Sequence, residues 1–220
     1  MNIKKIQLGL LTFGLFVLAF NFFELITKAR TDSPVVFVEC IAGIILIYLP
    51  QLCRRFLRIE IPDMIVIFYW FFLLISVFLG TCLHLIAYIS WWDKLLHSIS
   101  PMVLTALGYG IAAIALKKAQ SKDVSPWLFL LFGFAFAGVC GVFWEFWEFL
   151  CDTIGDMNLQ RYRAGGVDLI GRAALMDTMG DLLTNTIGAV LMGIFAFTQS
   201  KSDASYFENY RITIIPKKNK

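Results

Sequence analysis

In ALMDTMGDLLTNTIGA, residues 173 to 188, two carboxylates and an amide recur at intervals of four: Asp177, Asp181 and Asn185. Two other stretches repeat the pattern. DKLLH carries Asp93 and His97 at i, i+4, and GVFWEFWEFLCD carries Glu145 and Glu148 at i, i+3, with Asp152 four residues further on. Residues three and four apart share a helix face, so each stretch would present a polar stripe. Oxygen-rich ligand sets suit Mg, Mn or Ca, and the imidazole of His97 admits Zn, Mn or Fe. The candidate metal ligands are Asp93, His97, Glu148, Asp177 and Asp181. The candidates for catalysis are His97, Glu145, Glu148 and Asp181, with Asn185 as polar support. A divalent ion held there would polarise a phosphoryl oxygen or activate water. Two carboxylates sharing a proton would instead do acid–base work without metal, with His97 as the shuttle.

The elements that must carry these residues are apolar. The chain has 220 residues, 59% of them hydrophobic, and only 16% charged. Its mean hydropathy is +0.73. A soluble domain of this size carries about 25% charged residues, so the composition indicates an integral membrane protein. A helix needs about 20 apolar residues to cross a hydrocarbon core. Six runs approach or exceed that length, at 6–26, 35–53, 64–89, 99–116, 127–150 and 178–198. The expected architecture is an all-α, polytopic transmembrane bundle of about six spans. It forms one transmembrane domain over 1–198, followed by a polar cytoplasmic tail over 199–220. The first run lacks a small-x-small cleavage pattern and is read as a spanning helix, so the mature protein is expected to be the whole chain.

Lys and Arg orient the spans, because cytoplasmic loops retain them. With the N-terminus inside, the inner segments hold Lys4, Lys5, Arg54, Arg55, Arg58, Lys117, Lys118, Lys122 and the five basic residues after Thr198, and six remain outside. Both termini are therefore expected in the cytoplasm. The net charge of +3 is accounted for by basic loops facing anionic lipid, without a nucleic-acid partner. In this orientation every carboxylate and histidine near a span falls in the outer half. The simplest bundle points the three stripes into one outward-facing pocket between helices 4, 5 and 6, since lipid would leave them unsatisfied. Gly138, Gly141, Gly188 and Gly193 would let helices 5 and 6 approach closely, and Pro101 would kink helix 4 near the site. Trp144, Phe146 and Trp147 read as interfacial anchors. The five cysteines include no CxxC pair and read as packing residues.

Helices 5 and 6 are joined by a loop of about 25 residues, DTIGDMNLQRYRAGGVDLIGRAALM, long enough to suggest an ordered or functional element. It contains Arg161, Arg163 and Arg172. Arginine forks suit phosphate or carboxylate, so these three are candidate substrate-binding residues over an anionic headgroup. The other reading pairs them with Asp156, Asp168 and the site carboxylates.

DKLLH (Asp93 to His97), EFWEF (Glu145 to Phe149) and DLLTNTIGAVLMG (Asp181 to Gly193) resemble the pattern of VanZ-like membrane proteins. LQRYRAGG and GRAALMDTMGDLLTN more closely resemble the uncharacterised bacterial inner-membrane family typified by YjdF. The resemblance covers roughly residues 60 to 198. It implies a multi-pass protein of the bacterial inner (plasma) membrane, with Asp93, His97, Glu145 or Glu148, Asp181 and Asn185 at the family's polar positions. VanZ-like proteins commonly have a glutamine just after the glutamate, whereas Glu148 follows Glu145 here, so two glutamates compete for one family position.

Three classes of function remain open. One is a metal-dependent enzyme, using Mg, Mn or Zn, that acts on a membrane lipid or lipid-linked headgroup. The second is a proton- or ion-coupled transporter or lipid-moving protein, against which stands the lack of polar groups deeper in the spans or of an inverted repeat. The third is a polar network that only locks helices together. Two histidines exclude three-histidine and HExxH zinc patterns, and Glu145-xx-Glu148 supplies none of the Glu-xx-His pairs of ferritin-like centres. A GxSxG elbow is also absent. Glu24, Glu39 and His84 read as interfacial or helix-pairing residues.

Overall fold

A computed structural model of the chain describes residues 2–116 and 120–216. Lys117, Lys118, Lys217, Lys218 and Lys220, which entered the charge count, lie outside the described residues. Helices dominate: α1 (Ile3–Thr27), α2 (Ser33–Leu46), α3 (Leu49–Leu57), α4 (Asp63–Cys82), α5 (Leu85–Tyr88), α6 (Trp92–Ala115), α7 (Pro126–Gly155) and α8 (Arg172–Ser202). Four two-residue strands form two small antiparallel pairs: β1 (Ile59–Glu60) with β4 (Thr213–Ile214), and β2 (Arg163–Ala164) with β3 (Val167–Asp168). Among the described residues five helices are long and apolar enough to cross a membrane, or six if α2 and α3 make one bent span. The chain divides into two compact units, 1–96 with 209–220, and 97–208. The division falls inside α6, between Leu96 and His97.

In the first unit, α1 and α2 close on Phe78 of α4, which is fully buried. Gly14 and Gly43 make room for it: a Cβ on either would lie 3.0 and 3.4 Å from the Phe78 ring. Arg30 donates to both oxygens of Asp32 at 2.9 and 3.1 Å, just before α2. This fork holds the Asp32 carboxyl below its ordinary range. Asn21 of α1 donates to the Val17 and Cys82 carbonyls, and His84 lies 2.8 Å from Glu24 with both side chains buried. The reading of Glu24 and His84 as helix-pairing residues matches this contact. Cys40 and Cys82 are buried in the same apolar core.

Two expected spans depart from uniform helix. The run expected at 35–53 bends by 51° between α2 and α3. Pro50 has no N–H for the Leu46 carbonyl, so the helix opens there. Its neighbours resupply the donors: the Tyr69 hydroxyl donates to Leu46 O at 2.9 Å and the Trp70 indole to Ile47 O at 3.0 Å. Such replacement is what makes proline tolerable in a hydrocarbon environment. The run expected to reach Ile89 stops at Cys82, after a π-wound half over Leu74–Cys82. His84 has φ of 60°, a left-handed conformation that no helix continues through.

The second unit holds the rest of α6 with α7 and α8. Gly133 of α7 lets the Tyr109 ring of α6 lie across it, since a Cβ there would meet Tyr109 Cδ1 at 2.7 Å. Phe207, in the 3-10 turn Tyr206–Tyr210, stacks on Phe129 at 4.5 Å and meets Tyr109 edge-on at 5.2 Å. The polar-looking segment after Thr198 therefore contributes buried side chains. Helices 5 and 6 are longer than their apolar runs: α7 continues past Leu150 to Gly155, and α8 begins at Arg172 instead of Thr178. Hydropathy ended these spans at their carboxylates, but the helices run on because those carboxylates face protein. The connecting loop shrinks accordingly to 156–171.

Trp70→Phe should lower the melting temperature in detergent, at a cost of about 1–3 kcal/mol, because the buried Ile47 carbonyl loses its donor. An unchanged melting temperature would show that the bend does not depend on this bond.

Candidate functional site

Asp181 of α8 is 1% exposed, although a carboxylate in a membrane-length helix is costly unless protein surrounds it. Small residues let that happen. Asn185, one turn further along α8, lies against Gly141 of α7, where a Cβ would come within 2.7 Å of its amide. Its Nδ2 points to the Ala137 carbonyl at 3.5 Å. Gly188, nearly another turn on, packs on Ser98 and Pro101 of α6; a Cβ there would meet Pro101 Cγ at 2.7 Å and the Ser98 carbonyl more closely still. Of the four glycines expected to let helices 5 and 6 approach, Gly141 does so; Gly188 instead lies against α6, and a Cβ on Gly138 or Gly193 would meet nothing within 4 Å. Pro101 is tolerated inside α6, which continues without a break.

This packing brings His97 Nδ1 to 3.8 Å from Asp181 Oδ1. The separation is too long for a hydrogen bond. It suits two ligands of one ion, since atoms each about 2.1 Å from a shared metal lie roughly 3–4 Å apart. Asp93 stands one turn before His97 on the same continuous helix.

On α7 the buried side comprises Gly133, Ala137, Glu145, Glu148 and Asp152, at helical spacing. Because α7 and α8 run antiparallel with Gly141 opposite Asn185, one turn beyond that contact sets Glu145 level with Asp181. The Trp144 indole donates to Glu148 Oε1 at 2.8 Å. Trp144, Phe146 and Trp147 leave more than half their surface exposed, the exposure expected of lipid-facing anchors.

The three arginines separate. Arg163 is committed within the β2–β3 hairpin: it donates to Asp168 at 2.9 Å, Asp156 at 3.1 Å and the Tyr162 hydroxyl at 3.2 Å, and its guanidinium lies over the Tyr162 ring. Asp168, then Asp156, raise its pKa above the ordinary arginine range. Arg161 Nε is 3.9 Å from Asp177 Oδ1, so this arginine stands at the carboxylates. Arg172 opens α8 and is exposed. Asp177 lies in the second turn of α8.

Two residues gain roles that spacing did not reveal. Asp152 accepts the backbone N–H groups of Leu159 and Gln160 at 2.7 and 2.9 Å. The Gln160 amide then bridges two helices, donating to Thr178 Oγ1 at 2.9 Å and towards Glu145 Oε2 at 3.4 Å. Asp152 was visible as the third member of its stripe. Gln160 gave no signal, being one polar residue in a polar loop.

Gly188→Ala should cost about 1–3 kcal/mol, because its new methyl meets backbone of α6 that cannot swing aside. Gly193→Ala, with open space around it, should be neutral or gain about 0.5–1 kcal/mol from helix propensity. Melting the two variants side by side in detergent checks the packing; equal effects would contradict it.

The model of a family described as "Predicted membrane protein (DUF2238)" matches residues 8–202. An uncharacterised protein of Thermotoga maritima is 34% identical over 122 residues, which cover 53% of this chain and 55% of that relative. The match thus spans about half the relative's length. No solved structure matches. With the family model covering nearly all of the helical chain, the protein belongs to the predicted membrane protein family DUF2238.

Proposed function

We propose that the protein is a divalent-metal-dependent enzyme of the bacterial plasma membrane, acting on the phosphate-bearing headgroup of a lipid or lipid-linked molecule. The observation that carries this reading is the 3.8 Å approach of His97 Nδ1 to Oδ1 of the fully buried Asp181, with Asp93 one turn before His97 on the same helix. Buried carboxylates are neutralised by a proton, a cationic partner or a metal. Two carboxylates with one imidazole form a mixed oxygen–nitrogen set, which suits Mn or Zn better than Mg alone.

A divalent ion, when bound, would supply Lewis acidity at a phosphoryl oxygen. His97 and Asp181 would hold it, with Asp93, one turn before His97, as the further ligand that the helical spacing offers, and Asn185 would support Asp181 from the next turn. Glu145, level with Asp181 on the neighbouring helix, is the proton carrier, with Glu148 behind it; Asp177 keeps Arg161 near the anionic substrate. The motif likeness to VanZ-like and YjdF-type proteins supports the same residue set. The distribution of Lys and Arg supports cytoplasmic termini, which would turn the site towards the outer face.

Protein purified in detergent with Mn present should retain about one ion per chain after desalting, and chelation should lower its melting temperature. His97→Ala and Asp181→Asn should each abolish retention, whereas Arg172→Gln should not. Wild-type protein that retains no Mn, Zn or Mg and melts identically with and without chelator would rule out the metal reading.

A further inference from the structure

The geometry points to Arg161 as the residue that selects the substrate's phosphate, with Asp152 and Gln160 as the positioning residues that hold it in place. The inference rests on the phosphate reading above and adds how the headgroup would be chosen.

Three observations converge on the turn 159–161. Its backbone is gripped from below, because both oxygens of the buried Asp152 carboxylate accept consecutive N–H groups, those of Leu159 and Gln160. Charge-assisted bonds of this kind are short and strong. Its middle side chain is pinned sideways, because the Gln160 amide reaches Thr178 on α8 and Glu145 on α7. Its last residue, Arg161, takes a left-handed conformation with φ of 48°. For a residue other than glycine this is uncommon and is sustained only where the surroundings impose it. The imposed turn carries the guanidinium back to Asp177, one turn before Asp181.

The remaining arginines do other work. Arg163 already satisfies Asp156, Asp168 and Tyr162 and so stiffens the hairpin that follows the turn. Asn158 completes that frame: its side chain exchanges two hydrogen bonds with the Arg163 backbone, at 2.9 and 3.0 Å. Arg172 sits exposed at the start of α8. Arg161 alone of the three combines proximity to the acidic site with a partly open side chain, 42% exposed. A phosphate offers the planar fork several oxygens at once, and a hydroxyl headgroup offers none of that charge.

The test uses full-length protein in detergent and short-chain phosphatidic acid as the probe, with short-chain diacylglycerol as the phosphate-free control. Wild type should bind phosphatidic acid at least about tenfold more tightly than diacylglycerol, the ratio expected from one charge-assisted contact. Arg161→Gln should erase that preference, and Arg161→Lys should restore part of it. Asp152→Asn and Gln160→Leu should weaken it several-fold while leaving Mn retention unchanged. Both should also speed tryptic cleavage after Arg161, which a purely structural role in the helices would not do. Arg163→Gln should preserve the preference. An Arg161→Gln variant that prefers phosphatidic acid as strongly as wild type overturns the inference alone; wild type with no preference overturns both the inference and the phosphate reading.

Discussion

The second unit depends on one constraint: a carboxylate within a membrane-length helix must be enclosed by protein. Asp181 meets it by being 1% exposed. That enclosure requires three helices to come closer than ordinary side chains allow. Gly141 therefore faces Asn185 on one side of α8, and Gly188 faces the α6 backbone on another. Interhelical hydrogen bonds in membranes average only about 0.6 kcal/mol, so the single 3.5 Å contact from Asn185 does not drive the association. Close van der Waals contact at the glycines does, and the polar groups determine which faces meet. The 3.8 Å approach of His97 to Asp181 is a consequence of that packing.

The first unit meets the same constraint by another route. Its polar interruption lies in the backbone, at Pro50, and the freed carbonyls are covered by Tyr69 and Trp70 of the next helix. Its buried side-chain pair, Glu24 with His84, meets across two elements at 2.8 Å. In both units polar groups inside the apolar thickness are answered by neighbouring elements. In the first unit two such answers are paired contacts, the Asn21 amide with the Cys82 carbonyl and His84 with Glu24. In the second, His97 Nδ1 and Oδ1 of the enclosed Asp181 stand 3.8 Å apart, an arrangement that invites a cation.

Much of this was legible in the sequence because its physics is periodic. Apolar length marked the spans, and spacings of three and four placed Asp93 with His97 and Glu145 with Glu148 on shared faces. What stayed hidden is what periodicity does not encode. Hydropathy ended helices 5 and 6 at Leu150 and Thr178, because a carboxylate scores as polar whether it faces water or protein; α7 and α8 continue to Gly155 and back to Arg172. The left-handed His84 that stops α4 at Cys82 carries no sequence mark, since glycine would be the usual signal there. Gln160 acquires its role only when the shortened loop folds back on Asp152. The glycines were half legible: four were candidates, and only the helix crossing decides that Gly141 and Gly188 face protein.

The extra helix length bears on chemistry. At 1.5 Å per residue, helices of 30 and 31 residues span about 45 Å, against roughly 30 Å of hydrocarbon. A helix that spans and projects carries its last turns into the headgroup region, where lipid phosphates lie. Asp152 and Asp177 belong to such end turns, and Glu145 and Asp181 lie one to two turns deeper, roughly 6–10 Å. The acidic groups of α7 and α8 thus form a series in depth, all of them largely enclosed by protein, and the loop bearing Arg161 caps its shallow end. An anionic headgroup approaching along that series would meet the guanidinium first and the enclosed His97–Asp181 pair last. For chemistry on a lipid, that order matters: the charge that recognises the headgroup stays hydrated, while the groups that would act on it work where water is excluded and electrostatic interactions are strongest.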